Sequence, residues 1–217
     1  MLAPDRKQVA YDPARYLDVE NVDEAVRIIL TETEGLTSAQ RWSDEAPALM
    51  RLMSKYVQPE SRVLDYGCGI GRLAKPLIEM WKCRVVGIDI SPNMRALAAS
   101  CVDSPQFFAL DPAMFDLLRP DHFDAAIAVW ALQHCIDLGA ALTRIRDALM
   151  VEGTLFVVNN RGRCLPVEGG EWADDGIDLH EHIINAGFTL LAMGELDASI
   201  APGWMREGTF WAVYKRT

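Results

Sequence analysis

The spacing of apolar positions changes along the chain. Val22, Ala25, Val26 and Ile29 stand at i, i+3, i+4 and i+7, and Ala46, Leu49, Met53 and Tyr56 repeat a helical spacing. Both runs predict amphipathic helices, joined through a turn at "GLTSAQRW" that carries cap residues. From residue 61 the pattern becomes short apolar runs alternating with helix faces. "RVLDY", "RVVGIDI", "QFFAL", "FDAAIAVW" and "GTLFVVNN" read as strands. Leu73, Leu77 and Met80 or Trp81 mark one intervening helix face, and Leu138, Ala141, Leu142, Ile145, Ala148 and Leu149 mark another. "SPNMRALAAS" is a helix with Ser91 as its cap and Pro92 in its first turn. "FDAAIAVW" is apolar throughout, as expected for a strand covered on both faces.

The repeating strand–helix order predicts a doubly wound α/β fold with a mainly parallel sheet. "HEHIINAGF" is a helix stopping at Gly187, and "FTLLAMGE" and "GTFWAVYKR" form an antiparallel pair closing one edge. The chain therefore divides into an N-terminal helical extension, residues 1–57, with a loose start around Pro4 and Pro13, and an α/β domain, residues 58–217.

The formal charge of −10 opposes a sequence-independent grip on nucleic acid and favours a small-molecule partner. The five cysteines form no C-x-x-C pair, no metal cluster is visible, and a cytoplasmic setting is expected. The start of the chain lacks the apolar core of a signal peptide, and its longest apolar run, Ala125 to Leu132, is too short to span a bilayer.

Chemistry concentrates in "VLDYGCGIGRL". Gly67, Gly69 and Gly71 alternate behind Asp65, between a buried strand and a helix. Doubly wound sheets bind ligands at this place. Glycine lets such a loop turn tightly and lets a ligand approach its backbone, with free N–H groups of the next helix facing that ligand. A dinucleotide fingerprint needs G-x-G-x-x-G, but Arg72 stands where its last glycine belongs. Asp89 ends the second strand and Asp111 follows the third. Three acids at successive strand ends repel a phosphate-rich ligand and hold a nucleoside that carries positive charge.

"VLDYGCGIGRLAKPL", "VVGIDISPNMRALA", "FFALDP", "FDAAIAVWALQHCID" and "EGTLFVVNN" resemble the successive motifs of class I S-adenosylmethionine-dependent methyltransferases, over about residues 61 to 160. The resemblance implies a Rossmann-like seven-stranded sheet with an antiparallel C-terminal strand. It implies S-adenosylmethionine as cofactor and S-adenosylhomocysteine as product. It places Asp65 near the ammonium of the methionine part, with Gly67, Cys68 and Gly69 lining that part and Gly71 allowing close helix packing. Asp89 would hold the ribose diol, Ile90 would pack on the adenine, and Asp111 with Pro112 would lie near the adenine amino group. Val129 and Trp130 would flank the reacting methyl.

His134 is the candidate base, beside the reading in which it caps or packs a helix start. His180 and His182 read as surface residues, and His122 lies at the amino end of the fourth strand, far from the chemistry. The extension reads as a lid, with Tyr11, Tyr16, Arg41 and Trp42 as candidate contacts. Acceptor specificity is expected there and in the loops 161–172 and 197–208. The sequence lacks an N-P-P-Y-like motif, which lowers acceptors of the exocyclic-amine kind. The function expected is methyl transfer to a small-molecule acceptor. The alternatives are a protein or nucleic-acid acceptor, a scaffold of the same fold without catalysis, and a nicotinamide-dependent oxidoreductase.

Overall fold

A computed structural model describes residues 9–33, 35–118 and 122–217; Pro4 lies outside the described residues. Strands β1 (Arg62–Tyr66), β2 (Arg84–Ile88), β3 (Phe107–Leu110), β4 (Phe123–Val129) and β5 (Leu149–Asn160) pair in parallel. Two residue pairs further on, β6 (Leu165–Pro166) and β7 (Trp172–Ala173), make a separate small hairpin. Strands β8 (Phe188–Gly194) and β9 (Thr209–Arg216) complete a seven-stranded sheet of order β3-β2-β1-β4-β5-β9-β8. β9 runs antiparallel to both of its neighbours, so β8 points the same way as β1 to β5. The expected doubly wound sheet is present.

Alternate residues of the strands feed two cores. On one face Val63, Val85, Ile127, Phe156 and Val213 meet helices α3 (Ser38–Met53), α4 (Ala74–Trp81) and α5 (Pro92–Val102). On the other, Leu64, Ile88, Ala126, Val157 and Ala212 meet α6 (Pro112–Leu118), α7 (Leu138–Ala148) and α8 (Leu179–Asn185). β4 lies between β1 and β5 and is buried on both faces, which is why its sequence shows no polar alternation. On α4, Trp81 packs against the core while Met80 is exposed. Among the described residues, no helix is long and apolar enough to cross a membrane.

In the first quarter of the chain both expected helices form, and the turn between them is shorter than expected. "GLTSAQRW" is mostly helix, because Thr37 and Gln40 form a reciprocal capping box that starts α3 at Ser38. Leu49, Met50 and Met53 of α3 belong to the main core, so this helix is part of the domain's packing. The segment before it, with α1 (Ala14–Leu17) and α2 (Val22–Ile29), lies over the carboxyl ends of the strands. There Val19 and Ala25 bury against Ile70 and Met94. Helices α1, α6 and α9 (Trp204–Gly208) and the β6–β7 hairpin carry too few residues to leave a legible period.

Candidate active site

A cavity of about 350 Å³ opens at the carboxyl ends of β1, β2 and β4. Its volume is within the range of small-molecule sites, roughly 300–1,000 Å³. Gly67 and Gly69 line it, and the backbone of all three alternating glycines makes the tight turn expected of them. All three have positive φ: +78° at Gly67, +52° at Gly69 and +78° at Gly71. A Cβ at Gly67 would come within 2.5 Å of the Ala131 Cβ, one at Gly69 within 2.7 Å of Ile29 Cδ1, and one at Gly71 within 2.3 Å of Val102 Cγ2. Each missing side chain makes room for the protein itself. The loop N–H groups are also committed. Gly67 and Cys68 donate to the Ile88 carbonyl at 2.8 and 3.0 Å, Gly69 to Asp89 at 2.9 Å, and Gly71 to the Cys68 carbonyl at 2.9 Å. Tight packing and these four hydrogen bonds thus hold the loop in place.

Asp89 lies on the cavity wall just past β2. Its Oδ2 accepts from the Gly69 N–H and its Oδ1 from the Ser91 N–H, both at 2.9 Å, so the carboxylate is fixed in orientation. Each carboxylate oxygen has a second lone pair for a ligand hydroxyl. Ile90, half exposed, and Pro112, Val129 and Trp130 line the same cavity. Asp65 is buried behind the loop, and burial pushes its carboxyl up to about 7 against the pull of Arg72. Cys68 turns into the core, where its Sγ fills the space beside Gly87. Asp111 accepts from the Met114 N–H at 2.8 Å and so caps α6. Neither Cys68 nor Asp111 is among the lining residues.

His134 lines the cavity, with both ring nitrogens engaged. Nδ1 faces the Cys164 carbonyl at 2.5 Å and must carry the proton there. Nε2 then accepts from the Gln133 amide at 3.1 Å, whose own oxygen is taken by the Asn160 N–H. Burial drives its pKa down to about 4, so the ring is neutral near pH 7. His180 pairs with the Tyr214 hydroxyl and His182 with the Asp178 carbonyl, both away from the cavity. His122 precedes β4, at the opposite end of the strand.

The lid residues divide. Tyr11 and Tyr16 line the cavity, as do Ile28 and Ile29 of α2; Arg41 and Trp42 do not. The hairpin beyond β5 closes the same end: Tyr11 forms a bridge with Val167, and Asp12 donates to the Pro166 carbonyl at 2.9 Å. The segment 9–17 and part of loop 161–172 therefore meet, which their sequences do not reveal.

One residue has no counterpart in the sequence reading. Glu45 of α3 is fully buried. It receives Arg41 Nη2 at 3.1 Å, Arg72 Nη2 at 3.0 Å and the indole Nε1 of Trp130 at 2.6 Å. It thereby ties the N-terminal helix to the turn after the glycine loop and to the end of β4. Trp130 has the left-handed φ of +57°, a conformation that costs a bulky residue of order 1–3 kcal/mol and persists only where surroundings hold it. In sequence the only sign of Glu45 is a charge on the inner side of an amphipathic helix.

Residues 64–157 match the methyltransferase-domain family. Ubiquinone biosynthesis O-methyltransferase of Rhodopseudomonas palustris (strain TIE-1) is 30% identical over 118 residues, covering 51% of this chain and 46% of that protein. The chain spans about half the length of the curated relatives it matches. Magnesium protoporphyrin IX methyltransferase from Synechocystis PCC 6803, solved with bound S-adenosylhomocysteine, superposes with a TM-score of 0.64 at 15% identity over 90% of this chain and 94% of its own. A [4+2]-cyclase superposes equally well, with a TM-score of 0.64 at 21% identity over 85% of each chain. At such identities a solved neighbour shows the fold alone, and these two carry different names on one fold. The family match over residues 64–157, the strand order and the glycine loop agree in supporting the class I S-adenosylmethionine-dependent methyltransferase superfamily.

Proposed function

We propose that the protein transfers a methyl group from S-adenosylmethionine to a small-molecule acceptor. The observation that carries this reading is the continuity of the cavity. One wall is the glycine loop with Asp89 and Ile90, and the far end is roofed by Tyr11 and Tyr16. The residues suit the cofactor's chemistry: Asp89 for a ribose diol, Ile90 and Pro112 for a flat base, and the Asp65 carboxylate behind the loop for an ammonium. Gly67 and Gly69 contribute the wall itself, and Gly71 and Cys68 support it from the core side. Val129 and Trp130 flank the reacting centre, and Asp111 acts by placing Pro112. The segment 9–30 serves as the lid.

When bound, the cofactor would supply a sulfonium-activated methyl group. The chain's contribution is alignment and exclusion of water. Ile28 and Ile29 cover the loop, and Trp130 is held by Glu45. His134, neutral and hydrogen-bonded at both nitrogens, fixes the wall.

Calorimetric titration with S-adenosylhomocysteine tests the reading, with NAD as control. Micromolar binding of the first alone is expected. Asp89→Ala should weaken it by about 1–3 kcal/mol, from loss of charge-assisted hydrogen bonds. A folded protein that ignores S-adenosylhomocysteine would refute methyl transfer and leave a scaffold of this fold.

A further inference from the structure

Helix α7 turns one face to the cavity. Its cap Asp137, with Ala140 and Arg144, stands at i, i+3 and i+7, and all three line the wall. The sheet contributes Tyr66 at the end of β1 and Ile88 at the end of β2, which are register partners. Ile88 directly precedes Asp89, the carboxylate suited to the ribose, and Pro112 lines the same cavity. This stretch of wall therefore adjoins the places of the ribose and of the flat base.

The polar groups of this stretch have fixed hydrogen-bond senses. Arg144 donates through Nε and Nη2 to the two Asp116 oxygens at 2.6 and 2.7 Å, and through Nη1 to the Tyr66 hydroxyl at 3.1 Å. A guanidinium only donates, so the Tyr66 oxygen accepts there and its own proton points elsewhere. Tyr66 is buried, and burial pushes its phenol up, so it keeps that proton at neutral pH. Asp137 is exposed at the rim; its Oδ1 accepts from the Ala140 N–H at 2.9 Å, which leaves Oδ2 for a ligand. The wall thus offers one donor, from Tyr66, and one acceptor, from Asp137. Asp111, expected near the adenine amino group, is not among the lining residues.

We infer that this wall reads the base of the cofactor: the Tyr66 hydroxyl donates to a ring nitrogen of adenine, and the Asp137 carboxylate accepts from its 6-amino group. The assignment rests on the methyltransferase reading for its ligand. Adenine carries an amino donor beside a ring-nitrogen acceptor, the complement of that pair. Hypoxanthine carries a carbonyl oxygen in place of the amino group, and a carboxylate repels it.

The test titrates S-adenosylhomocysteine and S-inosylhomocysteine calorimetrically into the protein and two variants. The parent should bind the adenine compound about tenfold more tightly, since hypoxanthine brings no donor to the carboxylate. Asp137→Asn keeps the helix cap and sets an amide N–H where Oδ2 stood, so that preference should fall to near parity. Tyr66→Phe keeps the ring and removes the donor, so S-adenosylhomocysteine should bind about three- to tenfold more weakly. Equal affinity of the two nucleosides for the parent, a preference unchanged in Asp137→Asn, or an unchanged S-adenosylhomocysteine affinity in Tyr66→Phe overturns the inference and leaves the methyltransferase reading intact. Folded protein that binds neither nucleoside overturns both.

Discussion

Replacing Glu45 by alanine tests the junction between the N-terminal helix and the site. The substitution removes one carboxylate from two guanidinium groups, each with a side chain only 5% exposed, and from the Trp130 indole N–H. Arg41 keeps its bond to the Thr31 carbonyl at 2.8 Å, but Arg72 loses its ion-pair partner and its Nη1 already lacks one. Breaking a buried ion pair by deleting one member costs about 3–5 kcal/mol, because the other charge stays buried. For a domain of this size each kcal/mol lowers the melting temperature by roughly 2–4 °C, so a fall of about 6–20 °C is expected. Glu45→Gln keeps the shape and one acceptor oxygen but drops the charge, and should lose about 1.5–3 kcal/mol. Urea unfolding of both variants gives these numbers. Affinity for S-adenosylhomocysteine should also fall in Glu45→Ala, since Trp130 then loses the acceptor that holds its left-handed placement. A double-mutant cycle with Trp130→Phe isolates that contact. A Glu45→Ala protein within about 1 kcal/mol of the parent would refute the argument, since it would mean that the two guanidinium groups find water or other partners at no cost.

Asp65 gives stability a pH dependence of the less common sign. Its folded carboxyl is pushed up to about 7 by burial, with Arg72 opposing and Asp89 adding, against 3.8 ordinarily. Between those values the folded state holds the proton and the unfolded state does not, so stability falls as pH rises from about 4 to about 7, by on the order of 4 kcal/mol. Asp65→Asn should flatten that slope in urea melts across the window; an unchanged slope would place the titration elsewhere. His134→Phe should lower kcat by less than about tenfold and leave no ionisation near pH 6.5 missing from the rate profile, whereas loss of a general base costs roughly 10²–10⁴-fold. A drop of that larger size would restore His134 as the base.

The sheet was legible because strands and helices are written in short-range periods. The Ser91 cap appears as expected, with its hydroxyl accepting from the Met94 N–H at 3.2 Å. The strand-end position of Asp89 and the glycine loop follow from local order, and so do Ile90 and Val129 beside them. Short-range order fails where an element is too brief to show a period, as in the four residues of α1, or where polar pairing replaces apolar repetition, as in the capping box that extends α3 into the expected turn.

By itself the sequence determined that a doubly wound sheet carries a glycine loop at the end of its first strand and an acid at the end of its second, since each of those features depends on residues a few positions apart. The tertiary structure alone decided what the residues near that loop do. It turned Cys68 inward and closed both nitrogens of His134. It also brought Tyr16 to Trp172 and Glu45 to Trp130, 85 positions away in the chain. The physical reason is that charge pairing, desolvation and ring contact act through space. Which partner satisfies a buried group is settled only when the cores have packed.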